Sequence, residues 1–198
     1  MGTRANELVK QAVDALLNGD TDLAQSVIRN DDDVDRMEQE THKRTVLMVM
    51  QEAPVATDLR FLMSTLGVVS EIEKAADDAV KLSRRACKLS GQFPSEMKVA
   101  LLELGEEARK MFAAALRLYM DYSHELAAEI IRSDKDIDTR YSQARDRVIE
   151  LIQQNPENTG HLVRTIEAFH ALEHVADHAV EIARRMLMLY EPLVVAQG

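Results

Sequence analysis

The chain has 198 residues, 46% of them hydrophobic and 4% aromatic, and a formal net charge of −10 at pH 7. This length suits one domain or two small ones, and the negative charge argues against binding to nucleic acid. With a single cysteine, Cys87, the chain can form neither an intrachain disulfide nor a cysteine metal cluster. Good helix formers are abundant, while Gly (7) and Pro (4) are scarce, so long helices packed through aliphatic side chains are predicted.

The apolar residues of the first half recur with a helical period and predict three helices. The first ends near Asn18-Gly19, where Asn and Gly are natural helix stops. The second covers residues 21–52, with a bend expected near Asn30. Pro54 separates it from a third helix over residues 56–90.

The second half repeats this plan. Helices are predicted over residues 95–121, 124–154 and 161–190, and residues 155–160 form the break that matches Pro54. Short connections imply antiparallel neighbours. The fold class is therefore all-α, with six helices in two tandem, pseudo-symmetric three-helix bundles over residues 1–92 and 93–198, lying side by side.

Two further patterns concern the apolar residues. Met48, Met50 and Met63 lie at core-like spacing, for which filling gaps in the core is the default interpretation. The start of the chain lacks the apolar region of a signal peptide, and the longest apolar runs are far shorter than the roughly 18 residues needed to span a bilayer. We therefore expect a cytoplasmic protein without a transmembrane segment.

Pairs of acidic residues four positions apart recur in both halves, about 100 residues apart. Residues at i and i+4 share a helix face, so each pair projects two carboxylates together. Chance alone gives about six such pairs in a helical chain of this acidity, so a single pair means little. The recurrence at matching positions points to a duplicated chain with a repeated site. The pairs are Asp31/Asp35, Glu73/Asp77, Asp134/Asp138 and Glu173/Asp177.

Clustered carboxylates admit two interpretations. Oxygen-rich sites suit hard cations such as Mg²⁺, Ca²⁺, Mn²⁺ or ferric iron. His178 could add a nitrogen ligand in the second half, where the first half has Asp78. Alternatively, arginines could neutralise the carboxylates, since a guanidinium matches a carboxylate well. The candidates for this second interpretation are Arg84, Arg85, Arg184 and Arg185.

The remaining motifs are weaker. Asp58 lies at the start of the third helix, where a capping role is favoured over anion binding by that helix end. A di-metal carboxylate enzyme or a metal-storage bundle would use a repeated Glu-x-x-His spacing. Glu167 and His170 have this spacing, but the first half has no counterpart. No HExxH spacing, Gly-rich phosphate loop or nucleophile motif is present, so the chain is predicted not to be an enzyme.

These signatures resemble the PhoU family, the accessory and regulatory proteins of bacterial phosphate uptake. The resemblance covers nearly the whole chain, to about Tyr190. The residues that carry it are Asp31-x-x-Val34-Asp35, Pro54 to Arg60, Glu73-x-x-x-Asp77 and Glu173-x-x-Ala176-Asp177-His178-Ala179.

The resemblance implies that each metal site takes one acidic pair from the middle helix and one from the last helix of a bundle. The first site is then Asp31, Asp35, Glu73 and Asp77. The second is Asp134, Asp138, Glu173 and Asp177. Asp78 and His178 are candidate additional ligands. The metal would be a hard cation, namely iron, manganese, magnesium or calcium, in a site that can be multinuclear.

The resemblance also implies partners. It implies a homodimer that associates with the ATPase of a phosphate ABC transporter and with a phosphate-sensing histidine kinase, and so reaches the membrane only through partners. Asp58 and Arg60, in one of the shared motifs, are candidate partner-binding residues. When phosphate is plentiful, such a protein keeps the phosphate-starvation genes off.

Overall fold

The structure is a computed structural model that describes residues 1–191, and these residues form helices joined by short connections. The last seven residues of the predicted second bundle, 192–198, lie outside the described residues. The helices are α1 (Gly2–Asn18), α2 (Thr21–Asn30), α3 (Asp32–Glu52), α4 (Ala56–Leu89), α5 (Ser95–Met120), α6 (His124–Gln154) and α7 (Thr159–Tyr190), with a 3₁₀ turn at Pro156–Asn158.

Local capping chemistry explains where these helices begin and end. Gly19 closes α1 in the left-handed region, with φ 67°, which glycine adopts without steric cost. The Asp20 side chain accepts a hydrogen bond from the Leu23 backbone N–H at 2.9 Å and so caps α2. Ser123 caps α6 in the same way through Leu126, at 3.2 Å. The predicted stops at Asn18-Gly19 and Pro54 are confirmed, whereas the last helix begins at Thr159, two residues before the predicted start at His161.

The predicted second helix is divided at Asp31 into α2 and α3. Asp31 keeps helical backbone angles, φ −64° and ψ −39°. However, the Val34 N–H donates to the Asp31 carbonyl at 2.7 Å, a tighter i→i+3 bond. The bend expected near Asn30 is therefore a local tightening of one helix. Counted as one helix, α2 and α3 bring the total for the described residues to the predicted six.

The two longest helices, α4 and α7, pack against each other at the centre of the molecule. The first-half helices α1, α2 and α3 pack on α4, while α5 and α6 pack on α7. Buried apolar side chains from all seven helices join one hydrophobic core. The two halves are thus side by side and share their interior, and the division at residue 92 remains a prediction.

The α3–α4 hairpin, formed by the end of α3 and the start of α4, is exposed. The interpretation of three methionines as core residues is wrong, because Met48 is 50%, Met50 75% and Met63 58% exposed. The helix α1 packs on α2, α4 and α5, and these contacts leave the three methionines exposed.

None of the helices within residues 1–191 combines the length and the hydropathy that a membrane span requires.

Candidate metal centres

Three of the four predicted carboxylates of the second site lie together between α6 and α7. Asp134, Asp138 and Asp177 each offer a carboxylate oxygen within 4.8 Å of the others. Asp134 Oδ1 is buried and has no hydrogen-bond partner among the described residues. We call Asp134, Asp138, Glu173 and Asp177 the second carboxylate cluster. Its oxygen donors suit a hard cation.

The fourth residue, Glu173, lies between these aspartates and two histidines. Its Oε2 atom is buried and unpartnered within residues 1–191. Glu173, His170 and His174 also offer ligand atoms that all lie within 4.8 Å of one another. This group does not match the HExxH spacing because its order is reversed, as His-x-x-Glu-His. That order still places both histidines on one helix face.

The first carboxylate cluster consists of Asp31, Asp35, Glu73 and Asp77. Asp31 lies at the junction of α2 and α3, Asp35 lies on α3, and the other two lie on α4. Asp31 Oδ1 is buried without a hydrogen-bond partner in the described part of the chain, as is Asp134 Oδ1. Within residues 1–191 the first cluster contains no triplet of ligand atoms as compact as that of the second.

Burial and repulsion between neighbouring carboxylates raise the pKa values of several carboxyls in each cluster. Burial, followed by the charges of Asp35 and Asp77, raises the pKa of Asp31 to about 6. Burial and the charge of Asp77 raise the pKa of Glu73 to about 7. In the second cluster, burial and then the charge of Asp138 raise the pKa of Asp134, and burial and then the charge of Asp177 raise the pKa of Glu173. A bound cation would relieve this repulsion by favouring the ionised forms.

The arginines that could have neutralised the clusters are engaged elsewhere or lie too far away. Within residues 1–191, none of the four lies within 4.0 Å of a cluster carboxylate. Their observed partners are Glu167 for Arg85, Glu181 for Arg184 and Glu71 for Arg185. Arg84 and Arg184 act only at longer range, where their charges partly offset the rise in the pKa values of Asp31 and Asp134. Arginine neutralisation is therefore not supported.

The two candidate additional ligands, Asp78 and His178, bind each other. His178 lies between two carboxylates of α4, with Nδ1 3.0 Å from Glu71 Oε2 and Nε2 3.1 Å from Asp78 Oδ2. We call this arrangement the His178 bridge. Since both ring nitrogens face carboxylates, His178 links α4 to α7 in this structure, and metal binding by Asp78 or His178 remains a prediction.

Electrostatics reinforces this assignment. Burial opposes ionisation of the Asp78 carboxyl, but the hydrogen bonds from His178 and Lys81 outweigh it and lower its pKa. Burial likewise opposes the charge on His178, and its bonds to Asp78 and Glu71 raise its pKa to about 9. His178 is thus an imidazolium at neutral pH, whereas a metal ligand must be the neutral ring.

The candidate partner-binding residues have different environments. The Arg60 Nη2 donates to the Met188 carbonyl oxygen at 2.7 Å, which caps the end of α7. Asp58 is exposed in the first turn of α4 and forms no side-chain cap there. Its capping role is therefore not observed, although its position still suits the helix dipole. Partner binding by these residues remains a prediction.

Two observations weigh against a di-metal enzyme. Glu167, half of the Glu-x-x-His spacing, is taken up by Arg85 at 2.9 Å. A groove of about 510 Å³ lies between α5 and α6, but none of the eight cluster carboxylates lines it. The clusters therefore lie apart from this groove, although a concave pocket is where small molecules usually bind.

Together, a duplicated all-α bundle and one carboxylate cluster per half define a class of helical proteins with paired acidic sites rather than a class of enzymes. A protein-family model described as "PhoU domain" matches the chain twice, over residues 1–86 and 101–186. The chain belongs to the PhoU family. The family consists of accessory and regulatory proteins, so the prediction that the chain is not an enzyme is confirmed.

Relatives and solved structures agree with this assignment. A Pseudomonas aeruginosa protein described as "Phosphate-specific transport system accessory protein PhoU homolog" is 30% identical over 191 residues, covering 96% of this chain and 78% of the relative. The crystal structure of PhoU from that species matches with TM-score 0.92 and 30% identity, covering 96% of this chain and 91% of that one. A PhoU structure from Streptococcus pneumoniae has TM-score 0.87 at 22% identity, covers 95% of this chain and 88% of that one, and supports the fold.

Proposed function

We propose that this chain is a regulatory adaptor of bacterial phosphate uptake and that its two carboxylate clusters bind hard cations. Family membership supports the first part, since the Pseudomonas aeruginosa relative is named as an accessory protein of phosphate-specific transport. The second part concerns the residues that would hold the metal, and it is argued from their burial and charge.

One observation carries the metal proposal. Asp31 Oδ1 and Asp134 Oδ1 occupy equivalent positions in the two halves, and both are buried without a hydrogen-bond partner among the described residues. A buried polar atom left unpaired costs about 1–3 kcal/mol. That the same cost recurs in both halves favours a ligand that satisfies both atoms, and carboxylate oxygens select iron, manganese, magnesium or calcium.

The metal would act by joining helices. In the first half it would hold Asp31 and Asp35 of the bent α2–α3 helix against Glu73 and Asp77 of α4. In the second it would join α6 to α7. Since α4 and α7 pack against each other, both proposed sites would brace the central pair of helices.

The proposed adaptor role requires partners. The expected partners are a transporter ATPase, a sensor histidine kinase and a second copy of the chain. The exposed apolar residues of the α3–α4 hairpin, such as Met50 and Met63, supply a surface suited to protein contacts. In this proposal the protein works in the cytoplasm, reaches the membrane through its partners, and keeps the phosphate-starvation genes off when phosphate is plentiful.

The metal proposal is tested with an Asp77→Asn/Asp177→Asn variant, which removes one carboxylate from each cluster. The matched control is Asp22→Asn/Asp136→Asn, two exposed aspartates outside the clusters. After equilibration with Mn²⁺ and dialysis, the wild type and the control should retain bound manganese while the cluster variant loses it. Equal manganese in all three proteins, measured by mass spectrometry, would contradict metal binding by the clusters.

The same variants test the adaptor role in cells. Deleting the gene should switch on a phosphate-starvation reporter in phosphate-rich medium, and the wild type and control should restore repression. A reporter that does not respond to the deletion would overturn the regulatory role and leave the manganese result standing. If the cluster variant represses normally, metal braces the fold without controlling the signal.

A further inference from the structure

We propose that His170, His174 and Glu173 form a site for a borderline transition metal such as Zn²⁺, adjoining the second carboxylate cluster. Two imidazoles and one carboxylate on successive turns of α7 bring their ligand atoms within 4.8 Å of one another. The proposal goes beyond hard-cation binding by the carboxylate clusters. It shares Glu173 with one of them but depends on the histidines.

The geometry of the histidines suits metal binding. His170 and His174 lie four residues apart on one helix face, the spacing by which helical histidine pairs bind zinc. Their ring centroids are 4.0 Å apart with the ring planes inclined by 54°. Imidazole nitrogen suits zinc, copper and nickel, whereas an all-oxygen site suits magnesium and calcium. The donor types therefore separate this site from the carboxylate clusters.

Glu173 provides the independent support. Its side chain is 17% exposed, and its Oε2 atom is buried without a hydrogen-bond partner in residues 1–191. The nearest basic atom is Nε2 of His174, 4.0 Å away, which is beyond hydrogen-bonding distance. A cation between this oxygen and the imidazoles would satisfy the atom. Since His170 is exposed, water could complete a zinc coordination of three protein ligands and one open position.

The orientation of His174 is also suitable. Its Nδ1 faces Asp78 Oδ2 at 3.7 Å while its Nε2 faces Glu173. Metal-binding histidines commonly direct their second ring nitrogen towards a carboxylate, which fixes the tautomer that leaves the other nitrogen free for the metal. Asp78 would thus position His174 as well as hold His178.

The first half supplies an internal comparison. The positions equivalent to His170 and His174 are Ser70 and Lys74. Lys74 is a cation, and its Nζ donates to Glu71 Oε1 at 3.2 Å. The first half therefore has no imidazole donors at this place, and the proposal predicts one nitrogen-containing site per chain.

The experiment titrates chelator-treated full-length chain with Zn²⁺ against a competing fluorescent chelator. His170→Gln/His174→Gln should weaken zinc binding at least about tenfold. His42→Gln/His124→Gln, which alters two exposed histidines elsewhere, should leave it unchanged. Imidazole NMR signals of His170 and His174 should shift on zinc addition while those of His42 do not. Circular dichroism checks folding, and the single exposed-site change His170→Gln serves if the double variant is unstable.

Several outcomes decide the proposal. Equal zinc affinity in the wild type and in the His170/His174 variants would overturn it. It is also overturned if Asp134→Asn/Asp138→Asn abolishes zinc binding while the histidine variants keep it, because the zinc then lies in the carboxylate cluster. Zinc binding that depends on the histidines, in a protein that retains no manganese, would support this site and reject the hard-cation proposal.

Discussion

At the scale of single residues, His178 shows how neighbours in the sequence take different roles. Consecutive residues on an α-helix point about 100° apart. Asp77 and Asp177 therefore face the carboxylate clusters, while Asp78 and His178 face each other across α4 and α7. The acidic pairs could be found from i,i+4 spacing. The pairing of Asp78 with His178 could not, because spacing along one helix does not specify which helix packs against it.

The His178 bridge should make stability depend on pH. The pKa of His178 is raised from 6.5 to about 9, so the bridge contributes fully below about pH 6.5 and is lost as the pH rises through about 9. His178→Gln should lower the melting temperature at about pH 6.5 by removing the cation between Glu71 and Asp78, and the difference from wild type should shrink towards about pH 9.5.

The measurement is thermal unfolding by circular dichroism in chelator, from about pH 6 to 9.5. The exposed His124→Gln is the matched control and should follow the wild type at every pH. Glu73 also titrates near the start of this range, since its pKa is raised to about 7, so only the difference between variant and wild type reports on His178. A difference that stays constant across the range would contradict the bridge.

At the scale of helices, the helix ends could be predicted from the sequence, whereas the burial of apolar side chains could not. Helix ends depend on local chemistry, and so the Gly19 stop and the break at Pro54 could be recognised without knowing the packing. Whether an apolar side chain is buried or exposed depends on which helices pack against each other. The apolar spacing of Met48, Met50 and Met63 resembles a core stripe, but no local rule specifies that α1 contacts α4 and leaves the α3–α4 hairpin exposed.

A matched pair of methionines tests this exposure. Met50 on α3 is 75% exposed, while Met186 on α7 is fully buried. Met186→Ala should destabilise the protein by about 2–5 kcal/mol through lost burial and a residual cavity. Met50→Ala should change stability by less than about 0.5 kcal/mol, as exposed positions do. Urea unfolding measures the free energy of unfolding of both variants. A large loss for Met50→Ala in dilute protein would mean that the hairpin is covered.

At the scale of the whole molecule, the duplication and the core give different expectations. Two tandem bundles of similar plan suggest two folding units. The central contact between α4 and α7, together with one core that draws on all seven helices, suggests a single unit. The internal repeat was recognisable from residues such as Glu73 and Glu173, but the sharing of the interior depends on packing between halves and leaves no periodic signal.

We expect the chain to unfold in one cooperative transition, because neither half can unfold without exposing the other's side of the α4–α7 contact. Leu16 in the first half and Leu101 in the second are both fully buried. Leu16→Ala and Leu101→Ala should each lower the midpoint of the same transition, by roughly 2–4 °C per kcal/mol lost.

Calorimetry in chelator measures the number of unfolding transitions, and for a single transition the calorimetric and van't Hoff enthalpies should agree. If the halves were independent, each substitution would shift one of two transitions and leave the other in place. A single shared transition also determines how a bound cation affects stability. A cation bound in either carboxylate cluster binds only the folded chain, and so it stabilises both halves together.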